Sequence, residues 1–276
     1  MHKFAPKKSI GQHFLHDKNI SKKIVELLGI QDGDNIVEIG PGTGALTQFL
    51  IEKDIAIIAY EIDKRSVEHL KEEYKNYIPK KLKIIEKDFL TSDLTQLDSN
   101  CSNKIKVIGN IPYYITSPIL FHLCKFSKLV DSAVLMMQKE IYQRLVARPK
   151  SKEYGILSLL ANLFFVVEDK FDVPPSCFFP PPKVMSSVVK LNFANNSLDI
   201  SIQDKFRILG LIKTLFNQRR KMINNTIKNY LNQHNFNCNE IMNNSDYLKY
   251  LKMRPEDLSI KDYLILNDII NPKLEK

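Results

Sequence analysis

The sequence predicts an α/β fold, in which a mostly parallel, doubly wound sheet with an antiparallel edge is followed by a small C-terminal all-α domain. Short apolar runs alternate with helical patterns through the first two thirds of the chain, as in parallel sheets covered by helices on both faces. After about residue 200 the apolar residues recur only at helical spacing. We therefore predict two domains, spanning residues 1–196 and 197–276.

The amino-terminal segment that precedes the sheet has two parts. Residues 1–10 contain three lysines and no acidic residue, which predicts a basic arm. Asp17 is then placed to cap an amphipathic helix, because its carboxylate can accept hydrogen bonds from the first free N–H groups of a helix. Gly29 is predicted to end this helix, since glycine readily adopts the left-handed conformation common at that position.

Five apolar runs rich in strand-forming residues predict the parallel strands. They are residues 35–40, 55–63, 82–88, 105–110 and 132–138. Helical patterns at 45–53 and 64–77 separate the first three runs, as parallel strand connections require. Two more runs, 164–173 and 183–193, have no helix-length segment between them, so we expect them to pair antiparallel at one edge of the sheet.

Charge and cysteine content narrow the class of function. The 276 residues carry a net charge of +9, which favours a polyanionic partner such as nucleic acid, or an anionic membrane surface. The four cysteines are far apart and form no C-x-x-C pair, which argues against disulfides or a zinc site, and we expect no metal. They are Cys101, Cys124, Cys177 and Cys238. We find no signal-like apolar core and no membrane-length apolar segment, so we expect a cytoplasmic protein.

The first predicted strand ends in a glycine-rich loop, Glu38-Ile39-Gly40-Pro41-Gly42-Thr43-Gly44. Glycines at the carboxyl end of a first parallel strand let the backbone pass close to a nucleotide. The spacing G-x-G-x-G matches neither a dinucleotide site nor a phosphate-binding P-loop, so a nucleoside without pyrophosphate, such as S-adenosyl-L-methionine, fits better. The alternative is that these glycines only form a tight strand–helix turn.

Two acidic residues stand at the ends of the next two predicted strands. Glu61 can accept hydrogen bonds from ribose hydroxyls. Asp88, followed by Phe89, can accept one from the exocyclic amine of an adenine, although an aspartate after a strand is often only a cap. With the glycine loop, these residues predict a nucleoside site along one edge of the sheet.

The fourth predicted strand leads into an N-[LI]-P-Y turn, Asn110-Ile111-Pro112-Tyr113. The Asn110 side-chain oxygen and a carbonyl of Ile111 or Pro112 can accept hydrogen bonds from an aromatic amine and increase the electron density at its nitrogen. Pro112 stiffens the turn, and Tyr113 offers a flat face for a base. The motif resembles that of adenine N6 and related amino methyltransferases, and this resemblance implies methyl transfer by positioning, without a covalent nucleophile. The alternative is a structural turn with a core tyrosine.

A proline-rich loop follows further along the chain, at residues 177–184. Phe178 and Phe179 in this loop are candidates for a second aromatic wall against a base that has left its stack. The alternative is a rigid edge loop with Phe178 in the core.

Taken in order, these motifs resemble the ribosomal RNA adenine dimethyltransferases along nearly the whole chain. The matching segments are S-I-G-Q-H-F-L (9–15), E-I-G-P-G-T-G (38–44), E-I-D (61–63), Asp88, N-I-P-Y-Y-I-T-S-P (110–118), F-F-P-P-P-K-V-M-S (178–186) and F-N-Q-R-R-K (216–221). The resemblance implies a Rossmann-like class I S-adenosyl-L-methionine-dependent methyltransferase sheet, with S-adenosyl-L-homocysteine as product. It also implies N6,N6-dimethylation of two adjacent adenosines near the 3′ end of small-subunit (16S) rRNA, in a pre-30S particle during ribosome biogenesis.

The resemblance implies roles for individual residues as well. The cofactor site would consist of His13, Leu15, Gly40, Gly42, Glu61, Asp88 and Asn110. The target adenine would be held by Asn110, Pro112, Tyr113 and Phe178. His13 departs from the Asn that many family members carry at this position, but both side chains can donate a hydrogen bond.

Two basic clusters are predicted to bind RNA phosphates by charge. Arg144 and Arg148 follow the fifth predicted strand, and Arg219, Arg220 and Lys221 lie between two predicted helices. Such contacts position RNA without reading its sequence. The alternative for each residue is a solvated surface charge. We expect a monomer without an obligate protein partner.

Three other functions compete with this one. A relative that methylates large-subunit rRNA is disfavoured by the sizeable helical tail and by R-P-E-D-L-S (254–259). An RNA-binding assembly factor without catalysis is disfavoured because Gly40, Glu61 and the N-I-P-Y turn are intact. A DNA or protein amino methyltransferase usually carries [DN]-P-P-[YFW], whereas Ile111 occupies the second position here.

Overall fold

The computed structural model describes residues 6–7, 11–97, 104–196, 198–233 and 245–270. Most of the predicted basic arm, as well as Cys101 and Cys238, lies outside these residues.

The chain divides into two compact units. The first unit comprises residues 1–142 and 165–195, and the second comprises residues 143–164 and 196–276. The sequence pattern predicts residues 143–164 as part of the first domain, whereas in the structure they group with the second unit. The catalytic and RNA-binding labels of the two predicted domains stay predictions.

The first unit contains a seven-stranded sheet. Its strands are β2 (Asn35–Ile39), β3 (Ala56–Glu61), β4 (Leu82–Glu86), β5 (Ile105–Asn110), β6 (Val130–Gln138), β7 (Val166–Val173) and β9 (Ser186–Asn192). The strand order is β4-β3-β2-β5-β6-β9-β7. The first five of these are parallel, and β9 is antiparallel to both β6 and β7. All seven predicted strands are therefore present, with antiparallel pairing at one edge.

A second, two-stranded sheet joins the amino-terminal segment to the proline-rich loop. It pairs β1 (Phe14–Leu15) with β8 (Phe178–Phe179), so that Phe14 lies opposite Phe179 and Leu15 opposite Phe178. Two residues are too few to show a strand alternation, so no sequence pattern predicted this pairing.

Helices connect the strands of the first unit. They are α1 (Lys18–Leu27), α2 (Thr47–Leu50), α3 (Lys64–Glu73) and α4 (Thr116–Lys125), while α5 (Lys139–Leu145) begins in the first unit and ends in the second. The predicted cap of α1 is confirmed, because the Asp17 carboxylate accepts hydrogen bonds from the N–H groups of Asn19 and Ile20 at 2.9 and 3.1 Å. The chain leaves α1 at Gly29, whose φ of +66° is left-handed, as predicted.

The close approach of two central strands of the sheet depends on a glycine. Strands β2 and β5 run side by side, with Ile39 opposite Gly109. A Cβ atom at Gly109 would lie 2.8 Å from the carbonyl oxygen of Ile39, closer than real Cβ contacts. Glycine therefore allows the close approach of β5 to β2, directly before Asn110 emerges at the strand end.

Among the described residues of the second unit, all regular secondary structure is helical. Its helices are α6 (Ile156–Phe164), α7 (Ile202–Phe216), α8 (Ile227–Gln233), α9 (Ser245–Leu251) and α10 (Ile260–Ile270). Two buried tyrosines hold the turn between α9 and α10, since Tyr154 donates to the carbonyl of Leu258 at 2.7 Å and Tyr263 to that of Pro255 at 2.9 Å. This turn contains the R-P-E-D-L-S motif.

Candidate active site

A cavity lies along the carboxyl ends of four parallel strands, β2 to β5. It is lined by the residues that follow those strands and by residues 11–15 of the amino-terminal segment. All seven residues predicted for the cofactor site line it, namely His13, Leu15, Gly40, Gly42, Glu61, Asp88 and Asn110. Pro112 and Tyr113 line it as well. The carboxyl edge of an open parallel sheet is where this architecture binds nucleotides.

Glu61 connects the end of β3 to the glycine loop. Its carboxylate accepts backbone hydrogen bonds from Gly42 at 3.0 Å and from Ile62 and Asp63 at 2.8 Å. Burial raises the pKa of Glu61, and the three backbone donors oppose that rise. A carboxylate has about four lone-pair positions, so Glu61 retains capacity for a ligand hydroxyl.

The glycine loop leaves space on the cavity side. Gly40 and Gly42 have φ angles of +63° and +57°, which favour glycine over other residues. A Cβ atom at Gly40 would meet nothing within 4 Å, so the backbone is open to the cavity there. At Gly42 the Phe14 ring comes within 3.2 Å of the same imagined atom, so the amino-terminal segment packs on the loop.

A buried carboxylate anchors the amino-terminal segment to β3. Asp63 accepts hydrogen bonds from Lys7 Nζ at 3.0 Å and from Gln12 Nε2 at 3.1 Å. Arg65 also donates to it, at 2.6 Å for the shorter contact. The Arg65 guanidinium, together with Lys7 and Gln12, holds the pKa of Asp63 well below its usual range. The segment that lines the cavity is thus tied down by a permanently ionised group near neutral pH.

The amino-terminal segment also orients Asn110. The Asn110 side-chain Nδ2 donates to the backbone carbonyl of His13 at 3.1 Å. This bond fixes the orientation of the amide, and it leaves Oδ1 as the acceptor that Asn110 contributes to the cavity. His13 itself donates from Nδ1 to the carbonyl of Pro180 at 2.7 Å, so the segment is held from both sides.

Tyr113 is held by two neighbours: His13, which is predicted for the cofactor site, and Ser186, which no sequence pattern identified as a site residue. Its hydroxyl forms a 2.6 Å hydrogen bond with the hydroxyl of the buried Ser186, which belongs to β9. Its ring stacks against the His13 ring, with centroids 5.7 Å apart and an interplanar angle of 25°. The next residue, Tyr114, lines the cavity and is 64% exposed. A tyrosine pair after N-I-P was the available signal for Tyr114, whereas no local pattern pointed to Ser186.

The two phenylalanines of the proline-rich loop lie in different environments. Phe178 is 3% exposed and belongs to the hydrophobic core, and it is not among the residues that line the cavity. Phe179 is 46% exposed. Because successive strand residues point to opposite faces, the pairing of β1 with β8 places one ring inside and the other outside. The catalytic role of Phe178 stays a prediction.

Asp88 and Pro112 each use part of their hydrogen-bonding capacity in a local turn. Asp88 Oδ1 accepts from the N–H of Leu90 at 2.9 Å, which caps the short turn Phe89–Thr91. The carbonyl of Pro112 accepts from the N–H of Ile115 at 3.2 Å. Asp88 therefore caps the turn and lines the cavity at the same time. Because the Pro112 carbonyl already accepts a hydrogen bond, the Ile111 carbonyl is the better candidate acceptor for the target amine.

Glu38 is a further residue that lines the cavity, and its sequence signal was only its place at the start of the glycine motif. It is 1% exposed, and its Oε2 accepts from the Thr47 hydroxyl at 2.8 Å. Its Oε1 is buried and has no hydrogen-bond partner among the described residues. Burial, together with the nearby charge of Glu61, raises the pKa of Glu38 to about 7.

The five residues predicted to bind RNA have different surroundings. Arg144 and Arg148 are exposed, at the end of α5 and in the loop after it. Arg219, Arg220 and Lys221 follow α7. Arg219 is engaged, since its Nε donates to Glu256 at 2.9 Å, whereas Arg220 and Lys221 are exposed. Their contacts with RNA stay predictions.

The described part of the chain contains neither a metal-binding cluster nor a membrane-spanning helix. No group of three or more His, Cys, Asp or Glu side chains there is arranged to hold a metal ion. No helix among these residues is long and apolar enough to cross a bilayer.

The strand order, the glycine loop with Glu61, and the N-I-P-Y turn at the end of β5 together define a class I S-adenosyl-L-methionine-dependent methyltransferase. Residues 3–264 match the family model for ribosomal RNA adenine dimethylase. The chain belongs to this family and is an S-adenosyl-L-methionine-dependent rRNA adenine methyltransferase. The resemblance found in the sequence motifs is thereby confirmed.

Individual relatives agree with the family assignment. A ribosomal RNA small subunit methyltransferase A from Syntrophus aciditrophicus is 43% identical over 83% of this chain and 81% of its own length. One of the same name from Mycoplasma mobile is 38% identical over 94% of this chain and 96% of its own. The crystal structure of a dimethyladenosine transferase from Plasmodium falciparum matches with a TM-score of 0.72 and 27% identity, over 92% of this chain and 96% of that one.

Proposed function

We propose that this enzyme methylates N6 of two adjacent adenosines near the 3′ end of small-subunit rRNA, to give N6,N6-dimethyladenosine in a pre-30S particle during ribosome assembly. Relatives that are 35–43% identical carry the name small subunit methyltransferase A, which supports the choice of subunit. The family description, adenine dimethylase, supports the base and the number of methyl groups.

The observation that carries this proposal is the fixed orientation of Asn110. Its Nδ2 is committed to the carbonyl of His13, so the oxygen that remains on the cavity side is an acceptor. An adenine N6 amine has two hydrogens to donate and one lone pair to direct at an electrophile. An acceptor at this position suits such an amine better than a carbonyl or a phosphate.

The cavity residues fit S-adenosyl-L-methionine. Glu61 has spare acceptor capacity for a ribose hydroxyl, and the open backbone at Gly40 allows close approach of a ligand. Asp88 would accept from the adenine amine of the cofactor, and His13 and Leu15 would border it from the amino-terminal segment. When bound, the cofactor supplies an electrophilic methyl group on a positively charged sulfur.

The chain's own residues then act on the target amine by positioning it. Asn110 Oδ1 and the carbonyl of Ile111 accept its two hydrogens, which aims the lone pair at the methyl carbon. The face of Tyr113 turned away from His13 supports the base, and Ser186 keeps that ring in place through its hydroxyl. Positioning of this kind lowers a barrier without a covalent intermediate. Phe178 would need to leave the core to contact the base.

The RNA partner is assigned to exposed basic residues of the second unit. We assign phosphate contacts to Arg144, Arg148, Arg220 and Lys221. Arg219 instead organises the turn through Glu256 and contributes to RNA binding through its neighbours. We take the enzyme to act as a cytoplasmic monomer without an obligate protein partner.

The test is mass spectrometry of small-subunit rRNA from cells that lack the protein. We expect dimethyladenosine to be missing, and to be restored by the wild-type chain but not by Asn110→Ala. Immature small subunits incubated with the purified protein and labelled cofactor should gain label at both adenosines. Normal dimethyladenosine in the deleted cells would contradict the proposal, and stable binding to the particle without methyl transfer would favour a purely assembly-related role.

A further inference from the structure

A second buried carboxylate in the cavity has no part in the chemistry described so far. Glu38 lies on β2, two residues before the open glycine at position 40, and its side chain is almost completely buried. One oxygen, Oε2, is held by the Thr47 hydroxyl, whereas Oε1 has no partner among the described residues. Unsatisfied buried polar atoms are uncommon in folded proteins, so this oxygen calls for an explanation.

The surroundings of Glu38 favour its neutral form. Burial is the main cause of its raised pKa of about 7, and the carboxylate of Glu61 on β3 adds repulsion. Tyr74, the residue directly after α3, is close enough to be affected by it: burial together with the charge of Glu38 raises the pKa of the Tyr74 phenol to about 12. The other titratable groups that line the cavity are His13, Tyr60, Lys87, Asp88, Tyr113 and Tyr114. Both the protonated and the ionised form of Glu38 are therefore accessible near neutral pH.

We infer that Glu38 is a charge-sensing positioning residue, which releases a proton when the cationic cofactor binds and takes one up again when the methyl group has been transferred. The inference deepens the proposed function, and it rests on S-adenosyl-L-methionine being the methyl donor. It goes beyond that function because it gives the site a way to distinguish donor from spent product.

Glu38 would respond differently to the two ligands because S-adenosyl-L-methionine and S-adenosyl-L-homocysteine differ in charge. The donor carries a positive sulfonium and a positive ammonium against one carboxylate, whereas the product has lost the sulfonium charge. A nearby positive charge favours an ionised carboxylate, and by linkage an ionised carboxylate favours the cation. Ionised Glu38 would thus bind the donor more tightly than the product. Once the sulfonium charge is gone, Glu38 would become neutral again and would no longer favour the bound ligand.

The transfer balances in atoms and charge. A bond forms between N6 and the methyl carbon while the carbon–sulfur bond breaks, and its electron pair stays on sulfur. The methylated nitrogen loses one proton to solvent. Glu38, which gave a proton to solvent when the donor bound, takes one from solvent when the positive sulfur is gone.

Isothermal titration calorimetry of the full chain in two buffers of different ionisation enthalpy tests this directly. The readout is the number of protons released per ligand bound, as the difference between wild type and Glu38→Gln. The amino groups of the ligands and the other side chains titrate in both proteins and cancel in that difference. Near pH 7 we expect roughly half a proton released for S-adenosyl-L-methionine and little for S-adenosyl-L-homocysteine.

The affinity for the donor should show the same linkage. For wild type, Kd for S-adenosyl-L-methionine should fall roughly tenfold between about pH 5.5 and about pH 7.5, relative to Glu38→Gln. The matched control is Glu52→Gln, an exposed carboxyl in the segment after α2, which should behave as wild type. Equal proton release for the two ligands, or release that Glu38→Gln leaves unchanged, would overturn the inference.

A second variant keeps the test decisive if Glu38→Gln does not fold. Thr47→Val removes the donor to Oε2, so the pKa of Glu38 should rise and the pH of maximal proton release should move upward; an unmoved maximum contradicts the inference. Failure here is distinguishable from failure of the proposed function. Donor binding with proton release but without rRNA methylation overturns only the function, and methylation without proton release overturns only the inference. No donor binding at all overturns both.

Discussion

The cavity of the first unit and the basic turn of the second unit use charged and polar groups in opposite ways. In the cavity, Glu61 and Asn110 are committed to backbone partners, and what each can still accept follows from the bonds already made. In the turn after α7, Arg220 and Lys221 are exposed, and the nearby Arg219 is paired with Glu256. Recognition in the cavity therefore depends on the geometry of its hydrogen bonds, whereas RNA binding at the turn would depend on the number of its charges.

The two regions differ energetically because the polar groups of the cavity are buried, whereas the charges of the turn are exposed to solvent. Leaving a buried polar group without a partner costs about 1–3 kcal/mol, whereas an exposed ion pair contributes about 0–1 kcal/mol. Substitutions in the cavity should therefore change chemistry or stability strongly and one residue at a time. Substitutions in the basic turn should act weakly, additively and with a strong dependence on salt.

The largest effect expected is that of Asn110→Ala on catalysis. Loss of the acceptor should lower the methylation rate by roughly 10²–10³-fold, comparable to removal of a positioned hydrogen-bonding group in other enzymes. RNA affinity should change little, because the basic residues of the second unit are intact. Initial rates with labelled cofactor and filter binding of the same RNA measure the two separately. A rate within a few-fold of wild type would show that another group holds the amine.

The pH dependence of the free energy of unfolding tests whether buried Glu38 has a raised pKa. The folded protein binds this proton more tightly than the unfolded chain, because the pKa is raised from 4.5 to about 7. The associated stability is fully present below pH 4.5 and is lost as pH rises through about 7. The total loss is on the order of 3 kcal/mol. Urea unfolding of wild type and Glu38→Gln at several pH values should show that the variant lacks this loss, and parallel pH profiles would contradict it.

A matched pair of glycine substitutions compares the packing of the two units. Gly109→Ala should lower the free energy of unfolding by about 1–3 kcal/mol, because its Cβ would press on the Ile39 carbonyl. Gly210→Ala, in helix α7, meets nothing within 4 Å and should raise it by roughly 0.5–1 kcal/mol. Urea denaturation measures both, and equal effects would show that the strand contact relaxes freely.

The smallest effects are expected in the basic turn, where substitutions should distinguish the roles of two neighbouring arginines, Arg219 and Arg220. Arg220→Ala should weaken RNA binding and reduce the slope of log K against log salt by about 0.7–0.9, as for one lost phosphate contact. Arg219→Ala should leave that slope nearer to wild type and lower stability by about 1 kcal/mol or less, since it breaks an ion pair with Glu256. Glu256→Gln is the control for the pair. Equal slope changes for both arginines would assign Arg219 to RNA as well.

Much of the framework could be predicted because its signals are local. The seven strands, the Asp17 cap and the end of α1 at Gly29 each follow from a short run of residues. The cavity could be predicted because parallel strands bring their carboxyl ends to one edge, so residues found at successive strand ends had to meet there. The grouping of residues 143–164 with the second unit could not, because burial of α6 depends on partners far along the chain.

The sequence by itself determined the order of strands and helices, the glycine loop, and the placement of Glu61, Asp88 and Asn110 at strand ends. Only the tertiary structure decided how these groups are used, because the deciding contacts join residues far apart in the chain. Asn110 is oriented by His13, 97 residues away, and Tyr113 is held by Ser186, 73 residues away. The environment of Glu38 likewise arises from burial beside Glu61, and no local pattern encodes burial of that kind.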